Sequence, residues 1–223
     1  MKNLNIQITI ESEFYTKNPE SSDLGRRIVS HSIEMIDELG FEAFTFKKLG
    51  QRINSNESSI YRYFESKHKL LIYLMCWYWS WVEYKMVFAT NNIPEAKDKL
   101  QTAIRILTQK VMEDNAFSYI NEVVLHRIII AESSKAYHTK DVDEQNKKGF
   151  FKPYKRVVQR VSDFVIDINP DFKFPHMLIS TIIEGSHQQR YFSEHLPALT
   201  DYEKGKENII QFYNDLTFKT IAS

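Results

Sequence analysis

The chain has 223 residues, and 29 Lys+Arg balance 29 Asp+Glu, for a formal charge of zero. A 43% hydrophobic and 26% charged composition excludes a disordered polymer, and the length suffices for one large or two small domains with a sizeable core. Six Gly and six Pro argue against Gly-rich phosphate loops, arrays of tight β-turns and collagen-like repeats, and a single cysteine, Cys76, excludes an intramolecular disulfide or a Cys-cluster metal site. One cysteine also fits a reducing compartment, so a cytoplasmic location is expected. The N-terminus shows no apolar run of signal-peptide type. The most apolar window, residues 70–82, is too short for the roughly 20 residues of a membrane span and reads as a buried helix.

Residues 4–10 alternate, with Leu4, Ile6, Ile8 and Ile10 opposite Asn5, Gln7 and Thr9. A period of two predicts a short strand with one buried face. Residues 11–22 are polar, contain Pro19 and read as a connector, making 1–22 an N-terminal extension. From Asp23 the pattern is helical. Leu24, Ile28, Met35 and Leu39 form one stripe, widened by Val29, Ile33 and Ile36, and Gly40 stops the helix. Short helices follow at 46–53 and 57–63, then a long one from 67 to about 91. Further helices are expected near 94–113, 117–137, 143–168, 174–194 and 202–221, punctuated by Pro94, Pro170 and Pro197. The fold class is all-α, with one short strand.

Residues 45–70 carry the most information. Thr45 can cap a helix whose inner face is Phe46, Leu49 and Ile53, and Asn54-Ser55-Asn56 can turn the chain because Asn tolerates the left-handed conformation. The next helix puts Ile60 and Phe64 inward and leaves Ser58, Ser59, Tyr61, Arg62 and Tyr63 outward. Two helices joined by so short a turn form a helix-turn-helix, whose second helix fits the DNA major groove. Thr45, Tyr61 and Tyr63 offer hydroxyls to phosphate, and Lys47, Lys48, Arg52, Lys67 and Lys69 offer charge. Ser66 can cap the long helix, so that its first amides and Lys67 face one phosphate. From Glu42 to Lys69 six basic residues face three acidic ones, a net of +3 on a neutral chain. The competing reading is a plain three-helix subdomain.

Residues 24–71 closely resemble the N-terminal domain of the TetR/AcrR family of bacterial transcriptional regulators. The matching pieces are Gly40-Phe41-Glu42-Ala43-Phe44-Thr45, the stretch 49–53, and Ser59-Ile60-Tyr61-Arg62-Tyr63-Phe64 with Ser66-Lys67 and Leu70-Leu71. Gly50, Asn54 and Glu57 depart from the usual Ala, Gly and basic or small residue. Glu57 suits a helix N-terminus but repels phosphate, and it can accept a hydrogen bond from a cytosine amino group. The resemblance implies a DNA-binding domain at 23–70 that uses Thr45, Lys47, Lys48, Glu57, Ser58, Ser59, Tyr61, Arg62, Tyr63 and Lys67 on double-stranded operator DNA.

It also implies that 71–223 hold a ligand cavity and a dimer interface. Residues 70–88 carry Tyr73, Trp77, Tyr78, Trp79, Trp81, Tyr84 and Phe88, apolar around nearly the whole helix. Trp77, Trp81 and Tyr84, with Glu122, His126 and Arg127, are the candidate lining for a small-molecule effector. Core packing is the alternative for the rings, and a satisfied structural pair for Glu122 and His126. The last two helices offer Ile182, Ile183, Ile209, Phe212, Tyr213 and Leu216 to a homodimer interface, with Gly185 and Ser186 small enough for close helix approach; packing within one chain is the other possibility. Glu184 and His187 have the Glu-x-x-His spacing of di-iron bundles, but the second such pair, Glu65 and His68, lies at a helix start in the DNA-binding module. No metal, cofactor, catalytic residue or membrane partner is expected. The leading expectation is a TetR-like dimeric repressor that binds a pseudo-palindromic operator and is released by a ligand. Its rivals are an all-α enzyme or metal-binding bundle, and a protein-interaction factor on the same fold with weak DNA binding.

Overall fold

A computed structural model of the chain describes residues 8, 10, 14–113, 117 and 119–222. Among these residues it has ten α-helices and no strand: α1 (Asp23–Leu39), α2 (Phe46–Arg52), α3 (Glu57–Tyr61), α4 (Lys67–Thr90), α5 (Ala96–Thr108), α6 (Glu122–Tyr137), α7 (Val142–Lys147), α8 (Lys152–Ile168), α9 (Pro175–His195) and α10 (Asn208–Ile221). None of these helices is long and apolar enough to cross a membrane. Most of the expected N-terminal strand, residues 4–10, lies outside the described residues. Ile8 and Ile10 are described; both are buried, and neither is in a strand. The all-α expectation holds without its strand.

The helices follow the expected order, with differences at their ends and one split. The expected helix 143–168 is two helices, α7 and α8, because Gly149 takes φ +86 between them and breaks the ladder. Likewise Gly205, at φ +86, delays the last helix to Asn208, and α5 stops at Thr108.

The chain forms two compact units. The first comprises residues 1–78 and 111–152, so it holds α6 and α7 as well as the helix-turn-helix; the second comprises residues 79–110 and 153–223. In the first unit, α1 packs on α6 and on α2, with Ile28, Val29, Ile33 and Ile36 facing inward. The N-terminal arm lies on this body: Phe14 meets Phe150 at 4.9 Å between ring centroids, and the Thr16 amide donates to the Tyr63 carbonyl at 2.8 Å.

In the second unit, α5 packs on α9 and α10, and these two pack on each other. A Cβ added to Gly185 would lie 2.4 Å from the Tyr213 hydroxyl, so the glycine leaves the room that the Tyr213 side chain of α10 takes against α9. Ser186 donates to the Ile183 carbonyl at 2.9 Å, and the Arg190 guanidinium donates to the Thr108 carbonyl at 2.7 Å, closing the end of α5. Of the expected dimer residues, Ile182, Ile183, Ile209 and Tyr213 are buried within the protomer, and only Phe212 and Leu216 are exposed. Gly185 thus makes room for a side chain of its own protomer.

His187 is buried in this second unit, 6.2 Å from the Trp79 ring, and burial pushes its pKa down to about 4. The native state therefore holds neutral imidazole, while the unfolded chain titrates near the ordinary value of 6.5. Between about pH 6.5 and 4 the unfolded state binds the extra proton, so stability falls as pH falls through that window, by up to about 3 kcal/mol. Thermal melts by circular dichroism should show a lower Tm at pH 5 than at pH 7.5, and the His187→Gln variant should lose part of that dependence.

Candidate nucleic-acid interface

Local sequence builds the helix-turn-helix. The Thr45 hydroxyl oxygen accepts from the Lys48 amide at 3.2 Å and caps α2, whose Phe46 and Leu49 are buried. Asn54 takes φ +51, the left-handed turn expected of it. The Ser55 amide donates to the Gly50 carbonyl at 2.8 Å, and a Cβ on Gly50 would lie 2.7 Å from the Ser55 carbonyl oxygen, so the turn closes directly over this glycine. In α3 Ile60 is fully buried, Glu57 and Ser58 are exposed, Ser59 is half-buried, and Arg62 just beyond is exposed. Tyr61 is 49% exposed, with its ring edge-on to Phe46 at 5.0 Å. A hollow of about 470 Å³ at the turn is lined by Lys47, Gly50, Gln51, Asn54, Ser55, Asn56 and Glu57.

The basic residues divide into two groups. Lys47 and Arg62 stand at the exposed surface with Lys48, whose ammonium donates to the Ala43 carbonyl at 2.8 Å. Arg52 is held in a forked pair by the Glu38 carboxylate at 2.9 and 3.2 Å. Lys69 lies 4.1 Å over the Phe150 ring. Lys67 was expected to face phosphate, yet its ammonium donates to the carbonyls of Phe41, Glu42 and Phe44 at 3.0, 3.1 and 3.4 Å. Ser66 caps α4 as expected, accepting from the Lys69 amide at 3.2 Å.

Tyr63 corrects the outward expectation. It is buried, and its hydroxyl pairs with Ser22 Oγ at 2.8 Å. The α3 helix ends at Tyr61, so helical phase no longer governs position 63. Sequence reasoning missed the partners Ser22 and Glu38, which lie far from Tyr63 and Arg52 along the chain and carry no local signal.

The expected effector lining falls in both units. Trp77, Glu122, His126 and Arg127 belong to the first; Trp81 and Tyr84 belong to the second. Trp77 is fully buried, edge-on to Phe117 at 5.2 Å. The Tyr78 hydroxyl and His126 Nδ1 are 2.8 Å apart, and Glu122 is buried on the same helix as His126. Arg127 is turned to α1 instead, forking onto Asp37 at 2.9 and 2.6 Å. Trp81 is buried beneath the Lys85 ammonium, and half-buried Tyr84 stacks on Phe88 at 6.3 Å. Glu184 accepts from the Tyr154 hydroxyl at 3.0 Å. No group of three His, Cys, Asp or Glu able to hold a metal occurs among the described residues.

Residues 28–74 match the family model described as bacterial regulatory proteins, tetR family. No curated protein sequence matches. Solved structures share the fold at low identity, three of them as follows. A superantigen, PfiT, is 13% identical with a TM-score of 0.60, covering 91% of this chain and 97% of its own. AibR, in complex with isovaleryl coenzyme A and operator DNA, is 14% identical with a TM-score of 0.59, over 86% and 97%. A bacterial regulatory protein in the tetR family from Rhodococcus RHA1 is 13% identical with a TM-score of 0.58, over 92% and 97%.

Removing the Tyr63 hydroxyl tests its inward role. Tyr63→Phe should cost about 1 kcal/mol of stability in equilibrium urea unfolding, the usual worth of one buried hydrogen bond. It should leave the salt dependence of DNA binding as in the parent. A phosphate contact would show the reverse, an unchanged urea midpoint with a shallower salt slope.

Proposed function

We propose, from the TetR-family fold and helix-turn-helix that this chain carries, that it is a cytoplasmic, homodimeric repressor that reads a pseudo-palindromic operator and is released by a small molecule. In this reading residues 23–70 bind DNA and 71–223 serve ligand and dimer. The observation that carries it is the α2–α3 module: Ile60 anchors the reading helix while Glu57, Ser58, Tyr61 and Arg62 present an exposed polar edge beside Lys47 and Lys48. The fold alone would not suffice, because it also serves a superantigen. AibR, in complex with both operator DNA and an acyl coenzyme A, is a precedent on this fold for the pairing proposed here.

Sequence would be read by Glu57, Ser58 and Ser59 at base edges, with phosphate taken by Thr45, Lys47, Lys48, Tyr61 and Arg62. The dimer face is then the outer side of α9 and α10, where Met177, Phe212 and Leu216 are 67%, 56% and 37% exposed. A two-fold axis there would cover one apolar patch with its copy. Buried Ile182, Ile183, Ile209 and Tyr213 back that face from inside. A gel-shift on the DNA upstream of the protein's own coding region, across a salt series, tests both parts. Lys47→Ala and Arg62→Ala should each make the salt slope shallower by about one unit, and Glu57→Ala should change which bases are preferred. Light scattering should give twice the 26.4 kDa chain mass, and Phe212→Asp should move it to monomer with its helicity intact. Absence of salt-dependent binding by the parent would overturn the reading.

The effector site is proposed at the hydrogen-bonded Tyr78 and His126, with Glu122 beside them and Trp77 on the same stretch of α4. Aromatic walls with one carboxylate suit a neutral or cationic apolar molecule. Titration with amphipathic aromatics should quench Trp fluorescence to saturation, and Glu122→Ala should abolish the response. A library that changes neither fluorescence nor Tm would show these rings to be solid core.

A further inference from the structure

The turn between α1 and α2 is held from two sides, by Lys67, which the sequence alone assigns to phosphate, and by Glu132 and Lys135 of α6. From α4, the Lys67 ammonium donates to the carbonyls of Phe41, Glu42 and Phe44 and lies 4.8 Å from the Phe41 ring centroid. From α6, the Glu132 carboxylate accepts the Phe41 amide at 3.1 Å and takes the Lys135 ammonium at 2.7 Å. Lys135 also reaches the Glu42 carboxylate at 3.3 Å and stands 5.9 Å from the same Phe41 ring. Phe41 and Glu132 are buried, and all of these groups belong to the first unit.

Chemistry fixes what this arrangement can do. An ammonium has three protons and here meets three carbonyl oxygens, so Lys67 would have to give up its present bonds to face a phosphate. The Phe41 amide lies in a turn with no helical acceptor, and Glu132 supplies one from 91 residues away. The turn then leads directly to the reading head. Phe44 is fully buried and meets Phe46 edge-on at 6.2 Å, and Phe46 in turn carries the Tyr61 ring at 5.0 Å.

We infer that Lys67 and Glu132 are positioning residues that clamp the α1–α2 turn at Phe41 and so set the placement of α3, and that Lys67 is not a phosphate contact. The inference rests on the DNA-binding reading for its consequence, but the clamp can be tested without DNA.

The experiment compares the full-length parent with Lys67→Met, Lys67→Arg, Glu132→Gln and the Lys67→Met/Glu132→Gln pair, all well below their melting temperatures. Amide exchange at Phe41 should quicken in Lys67→Met and in Glu132→Gln alike, whatever the protein does with DNA. On operator DNA, each of these two should bind about tenfold more weakly with the parent's salt slope, and the pair should cost little more than either alone, as expected for one shared unit. Lys67→Arg should recover most of the loss. Glu132→Gln is the decisive variant, since removing a negative charge would tighten DNA binding if charge alone mattered. Should it fail to fold, Lys135→Gln takes its place, with quicker Phe41 exchange expected. A salt slope shallower by about one unit in Lys67→Met, with Glu132→Gln binding as the parent does, would assign Lys67 to phosphate and overturn the clamp. Unchanged Phe41 exchange in both variants would overturn it too. A parent that binds no DNA but shows the exchange effect would sink the DNA reading and leave the clamp standing.

Discussion

Ten consecutive residues of α4, 70–79, are buried, and the fold is arranged to satisfy that one constraint. A helix with no polar side along nearly three turns is unstable in water and must be covered all round. In the first unit the cover is aromatic. Phe64 and Tyr15 meet Tyr73, Phe117 meets Trp77 and His126 stacks on Tyr78, while in the second unit Tyr154 stacks on Trp79 at 4.4 Å. Each large side chain so buried contributes about 1.5–3 kcal/mol, so covering α4 helps to gather segments distant in sequence. Two polar groups along it find partners locally: the Tyr78 hydroxyl pairs with His126, and the Cys76 thiol donates to the Phe150 carbonyl at 3.0 Å.

What was legible in the sequence follows from how far each signal reaches. Caps and turn formers act over three or four residues, so Thr45, Gly40, Asn54 and Ser66 placed the helix-turn-helix almost to the residue. Gly149 and Gly205 carry the same signal, yet the apolar spacing of the flanking residues masks them, so the expected helices run through both glycines. Tyr63 failed for a related reason. Its outward placement assumed that α3 continues to residue 63, but the last two positions form a turn, and a turn obeys no 3.6-residue period.

Amphipathic stripes reveal that a face is buried without naming what covers it. Ile182 and Ile183 read as interface residues because α9 is apolar there, yet both are already buried within one protomer, where α9 packs on α5 and α10. Gly185 gave a correct clue to close helix approach, and only the position of Tyr213 shows which helix approaches. Long-range polar pairs are still less legible. Nothing near Arg127 marks Asp37 as its partner, and nothing near Glu132 marks the Phe41 amide.

The charge of the reading head shows the same limit in electrostatic terms. The sequence assigns it +3, but the groups are not equally placed to meet phosphate. Arg52 spends its guanidinium on Glu38, and Lys67 spends its ammonium on three carbonyls. Lys47, Lys48 and Arg62 remain at the exposed surface, opposed by Glu57 at the start of α3. A head with so few placed cations draws less on counterion release, the term that is indifferent to sequence. On the proposed DNA reading, recognition then depends more on hydroxyls and base-edge hydrogen bonds, which act only at correct distance and angle. On that reading, placement of α3 weighs more here than in a strongly basic head, and the network around Phe41 is the hold proposed for it.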